Sequence, residues 1–175
     1  KTNIMVMPPD TFVPGSMTPG WKTLVELDFS ERLDAIRDEK TRAKLIKEAK
    51  GSKFVDMFAP NFFSLGDGEA PIYDKDQSES LPVLAEAAGE HPAETWLRTM
   101  DESDGEALFH VRFFNHDYDA VEEFLKNDWV LPSLGDAGAH LTQIIDAGWP
   151  TFMLSHWHRE KGTFSLAETI RMLTS

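Results

Sequence analysis

The sequence predicts an α/β chain, and three adjoining stretches predict it. "ALFHVRFFN" is rich in β-formers, "DYDAVEEFLKND" is a helical segment opening on an acid, and "WVLPSLGD" is a second apolar run. Strand, crossover helix and strand make a βαβ unit, which requires two parallel strands joined with right-handed sense. Both runs are apolar at nearly every position, as expected where helices cover both faces of a parallel sheet.

The remaining elements follow in chain order. "TNIMVMPP" reads as a strand, and residues 11–29, rich in Pro, Gly and Thr, as loop. Asp28 with Glu31 forms a capping box that opens one long charged helix, "SERLDAIRDEKTRAKLIKEAKG". In it Leu33, Ile36, Leu45, Ile46 and Ala49 face inward and Gly51 is the stop. "KFVDMFAP" is predicted as a strand, and residues 64–78 as a surface connection of turn formers and acids. "ESLPVLAEAAG" is a helix closing at Gly89. "HPAETWLRTMDESDG" is another, with Pro92 at its first position and Ala93, Trp96, Leu97 and Met100 on one face. After the βαβ stretch, "AGAHLTQIIDAG" is a short helix with Leu141, Ile144 and Ile145 inward. Ser165 and Glu168 then box the start of a last helix, in which Leu166, Ile170 and Leu173 recur at helical spacing. Met5, Met7, Phe62, Phe63 and Met153 sit in apolar runs and are assigned to the core.

With 175 residues, 41% hydrophobic and 27% charged, the chain fits one ordinary domain and is not disordered throughout. The net charge of −13 argues against nucleic acid and against an anionic membrane as partners. Without cysteine there is no disulfide, no thiolate nucleophile and no Cys-based metal site, which suits a cytoplasmic setting. No run of 18 apolar residues and no signal segment occurs. Both ends look cut, the first inside a strand and the last on the apolar face of a young helix, so a fragment is expected.

Asp136 stands at the carboxyl end of the second predicted strand, among the small residues Gly135, Ala137 and Gly138. Such strand ends carry the chemistry of α/β folds. Two assignments fit it: a cap for the helix that follows, or a general acid–base that also leans on a metal. His140 lies one turn away. In "SHWHRE", an extended backbone would send His156 and His158 to one side at a spacing suited to chelation. Arg159 adds a fixed cation able to take a carboxylate in bidentate fashion. The plain alternative for this cluster is a surface loop. His91 reads as a helix-start residue, His110 as a core group within a strand, and His116 follows that strand facing the proposed site. HExxH, P-loop, G-x-S-x-G and zinc-finger patterns are all missing from the sequence.

"FFNHDYDAVEEFLKNDWVLPSLGDAGAH" followed by "FMLSHWHREKGTFSLAETIRMLTS" resembles the N-acyl-D-amino-acid deacylase (D-aminoacylase) branch of the amidohydrolase superfamily. "LAEAAGEHPAETWLRTMDESDG" is similar to that family's helix before the penultimate barrel strand. The resemblance spans residues 20–175 and is strongest after residue 80. It implies the C-terminal part of a metal-dependent (β/α)8 TIM barrel: one partial domain over 1–175, with a largely helical insertion and connection over 1–80 and the strand 7/8 region over 81–175. It also implies a hydrolase of carbon–nitrogen bonds other than peptide bonds, acting on N-acyl amino acids or amides and using zinc in the full-length parent. Asp136 matches the acid that shuttles the proton and touches the metal. His156, His158 and Arg159, with Gly162, Thr163 and Phe164, match the family's substrate-contacting loop, and His140 joins them as a substrate-contact candidate. The family's first-strand histidine pair, bridging ligand and two later histidines have no counterpart here. The chain alone is therefore expected to hold no tightly bound zinc, to lack deacylase activity and to self-associate. The alternatives are a non-catalytic binding or assembly module, or an amidohydrolase with cyclic-amide or deaminase specificity.

Overall fold

The computed structural model describes residues 4–7, 18–66, 72–112, 115–133 and 146–174. The chain is mixed α/β and mostly helical. It divides into two units, one comprising Lys1–Met5 with Arg112–Ser175 and the other Val6–Val111, with the division falling inside two strands.

β1 (Ile4–Met7), which the division crosses, confirms the expected first strand. The predicted 11–29 loop is corrected in its second half: Pro19–Glu26 is a helix, α1. Pro19 occupies the first turn, where its missing N–H costs nothing, and Trp21 and Leu24 are buried. The Trp21 indole donates to the Leu45 carbonyl at 2.9 Å, and the Gly20 N–H donates to the Glu48 carboxylate at 2.8 Å.

The single charged helix is corrected to two, α2 (Phe29–Arg37) and α3 (Glu39–Lys50). Asp38 breaks it. Its backbone is extended, and its carboxylate accepts from the Thr41 N–H and hydroxyl, both at 2.8 Å. An aspartate able to bond its own backbone is a better cap than helix interior. Ile36, Leu45 and Ala49 are nevertheless buried as predicted.

"KFVDMFAP" is helical, α4 (Lys53–Phe58), not a strand. A short apolar run has no periodicity that separates the two, and here Val55 and Ala59 are buried at i, i+4 spacing. β2 (Phe62–Ser64) follows, with Phe62 and Phe63 sealed in the core. α5 (Leu81–Ala88) ends at Gly89, whose φ of 69° places it in the left-handed region. α6 (Pro92–Glu102) is the helix on which α2, α3 and α5 all pack. Its buried Ala93, Trp96, Leu97 and Met100 recur at i, i+3, i+4 and i+7, so one stripe serves all three neighbours. Trp96 meets Trp21 edge-on at 5.6 Å.

β3 (Phe109–Arg112) is buried along its length. It pairs antiparallel with β2, with Phe63 opposite His110, and the strand order is β1-β3-β2. The predicted parallel partner is corrected: residues 129–133 form no strand. Asn127 takes over instead, its side chain accepting from the Trp129 N–H at 3.0 Å and its carbonyl from the Val130 N–H at 3.0 Å. That turn spends the backbone donors a strand would need.

The unit spanning Arg112–Ser175 contains α7 (Tyr118–Leu125), which begins on Asp117 as the sequence implied. α8 (Trp149–Phe152) runs directly into a π-helix, Met153–Glu160, and α9 (Leu166–Thr174) follows. Met153, Trp157, Phe164 and Met172 form its core, flanked by Tyr118, Val121 and Phe152. The capping box at α9 is present: Ser165 N–H donates to Glu168 at 2.7 Å and Glu168 N–H to the Ser165 hydroxyl at 3.2 Å. The face is corrected. Thr169 and Met172 are buried, whereas Leu166 and Ile170 are exposed. Among the described residues no helix is long and apolar enough to cross a membrane.

Candidate functional site

The π-helix sets the geometry of "SHWHRE". Its wider turn is visible in the Lys161 N–H bond to the His156 carbonyl five residues back, at 2.8 Å. Helices of this rare type gather at functional sites. In a helical backbone residues two apart do not share a face, so the chelating side-by-side arrangement expected of His156 and His158 is corrected.

His156 is buried. Its ring stacks on Phe152 at 4.7 Å with planes 10° apart, and meets Trp157 edge-on at 4.8 Å. Tyr118, at the first turn of α7, closes another side at 5.5 Å. The Arg112 guanidinium lies over the other ring of this group, 4.5 Å from the Tyr118 centroid. Glu160, one turn on, brings Oε2 to 3.5 Å from His156 Nδ1. The arrangement is an imidazole stacked on one aromatic ring and bounded by two others, with a carboxylate beside it.

His158 is fixed differently. Its Nδ1 lies 2.9 Å from the Phe164 carbonyl. A carbonyl only accepts, so Nδ1 carries a proton, and in the neutral ring the lone pair falls on Nε2. A histidine oriented this way through its second nitrogen is prepared to accept a proton or to ligate. The same turn is held by Thr163 N–H on the Trp157 carbonyl at 2.9 Å. On α7, the Lys126 ammonium bonds Glu122 at 2.8 Å and, with Lys161 and the Thr163 hydroxyl, holds that carboxyl below its usual range. Arg159 is 72% exposed and pairs with Glu160 at 3.0 Å, so its guanidinium is at the surface.

Asp136 and His140 lie outside the described residues. His116 is exposed. His91 is a helix-start residue, and His110 is a core residue stacked on Phe63 at 5.4 Å. The aromatic walls Tyr118 and Phe152 and the acid Glu160 were not singled out from the sequence. Phe152, His156 and Glu160 stand at i, i+4, i+8, a signal present in the text but visible only once the segment is read as helical.

A shallow apolar cleft lies elsewhere, in the unit spanning Val6–Val111, lined by Leu24, Phe29, Leu33, Ile36, Trp96 and Met100. Arg32 at its edge gives its guanidinium to the Leu27 and Val25 carbonyls at 2.8 and 3.2 Å. Without converging polar groups the cleft offers no chemistry. Comparison with protein-family models, with curated proteins and with solved structures finds no match for this chain.

Proposed function

We propose that this chain belongs to an amidohydrolase of the D-aminoacylase type, a (β/α)8-barrel enzyme hydrolysing C–N bonds in N-acylated amino acids or related amides. The observation that carries the proposal is a pairing in the sequence: Asp136 within "LGDAGAH", followed by "HWHREKGTFSLAETIRMLT". Held packing of the second stretch supports it, since His158 is oriented by Phe164 and the loop is anchored on Trp157. In this reading Asp136 takes the proton of the attacking water as its oxygen bonds the carbonyl carbon. It then gives that proton to the nitrogen as the C–N bond breaks. His140, His158 and Arg159 are the candidates for substrate contact, with Arg159 matched to a carboxylate, and His156 supports the loop from within.

Zinc is the group such enzymes use, and it does not fit His156 and His158 as a pair, because they do not share a face. In the proposal the zinc is held by residues beyond these 175, with Asp136 joining them.

Asp136→Asn in the parent enzyme is the test. Loss of a general acid–base costs about 10²- to 10⁴-fold in turnover. A drop of that size with an unchanged circular-dichroism spectrum is expected; intact turnover would mean that Asp136 is a helix cap. The second reading, an assembly module, draws on the exposed Phe124, Trp129 and Leu131, apolar groups of the kind that mark contact surfaces.

A further inference from the structure

His91 precedes Pro92 and caps α6 with a titratable group. Its imidazole Nδ1 accepts the Ala93 N–H at 3.2 Å, while its carbonyl takes the Glu94 N–H at 2.8 Å and the Thr95 N–H at 3.1 Å. Capping through Nδ1 requires the neutral tautomer protonated at Nε2. An acid-stable clamp sits next to it. Glu90 accepts the Thr95 hydroxyl at 2.7 Å and the Arg98 guanidinium at 2.9 Å, tying the Gly89 corner to the second turn of α6.

We propose that the α5–α6 junction is an acid-sensitive joint: protonation of His91 withdraws the cap of α6 and frees its first turn, while the Glu90–Arg98 clamp still holds the next.

Three elements bring charge to His91. α3 contributes the Lys50 ammonium, α4 the Asp56 carboxylate, and the first turn of α6 the Glu94 carboxylate. Burial opposes charging most, Lys50 adds to it, and Asp56 with Glu94 offset part. The balance holds His91 below the ordinary histidine value. Protonation replaces the acceptor with a donor facing the Ala93 N–H, at the positive end of the helix. Because the folded pKa is depressed, the cap is fully present above the unfolded value of about 6.5 and is lost as pH falls through the folded one. Glu90 is held low chiefly by its hydrogen bond from Arg98, so the clamp opens only at a more acidic pH. The joint therefore releases in two steps, cap first.

Nitrogen-detected histidine NMR and amide exchange on the whole chain test this. At pH 8 His91 is expected as the Nε2–H tautomer. Ala93 amide protection, corrected for intrinsic exchange, is expected to fall about five- to tenfold through the His91 midpoint, the size of one lost cap. His91→Asn keeps a capping side chain that does not titrate and is expected to keep Ala93 protection flat with pH. An Nδ1–H tautomer at pH 8, Ala93 protection that ignores the His91 titration, or the same pH dependence in the Asn variant would each overturn the proposal.

Discussion

Leu97 touches no water, whereas Leu84, on the neighbouring helix, is 42% exposed. Truncating each to alanine removes the same atoms from different surroundings. Leu97→Ala leaves a cavity on the buried face of α6 and is expected to cost about 2–5 kcal/mol. Leu84→Ala is expected to cost under about 1 kcal/mol. Urea denaturation with matched m-values separates them. At this scale the sequence is most readable where a residue's chemistry admits one use. His91 before Pro92 was legible as a helix start, and Phe62 and Phe63 as core, because an apolar run with no polar face has nowhere else to go. His156 was not, since Phe152 reaches it only when the segment is read as helical, and Tyr118 comes from another helix, whose approach depends on tertiary packing.

Helices were legible where their ends were written in capping residues. The box at Ser165 and Glu168, the Gly89 stop and the Pro92 start all stand where the sequence puts them. Ser165→Ala removes the hydroxyl that accepts the Glu168 N–H and is expected to destabilise α9 by about 1 kcal/mol, seen as a lower melting temperature with Thr169 and Met172 still buried. The break at Asp38 was hidden because Glu39 to Lys50 continues as good helix former, and only the Asp38–Thr41 bonds reveal the second start. The inward face of α9 was misjudged for a related reason. Leu166 and Ile170 are the more apolar choice, but Thr169 is buried with its hydroxyl on the Ser165 carbonyl at 3.0 Å, so burying it leaves no polar atom unpaired. The π-helix has no sequence signature of this kind at all.

Across the whole molecule, the α/β class was legible and the sheet's pairing was not. One strand of the predicted unit, β3, and its helix α7 are present, yet residues 129–133 turn on Asn127 instead of pairing. Pairing is decided by partners far away in sequence, which local pattern does not contain. Charge is a global property that composition does fix. With net charge −13 at neutral pH and a pI near 4.8, repulsion between copies fades on acidification while Phe124, Trp129 and Leu131 stay exposed. Sedimentation is therefore expected to show association rising toward pH 4.8 and weakening above it; a concentration-independent monomer across that range contradicts self-association through apolar surface. One side chain also divides the chain's light emission. Trp129 is 94% exposed, whereas Trp21, Trp96 and Trp157 are sealed, Trp21 and Trp96 in one unit and Trp157 in the other. The intrinsic fluorescence thus mixes a red, quencher-accessible contribution from one indole with a blue, shielded contribution from three, the half-buried Trp149 lying between these extremes. Opening of either interior shifts intensity from blue to red, so each can be followed without an added dye.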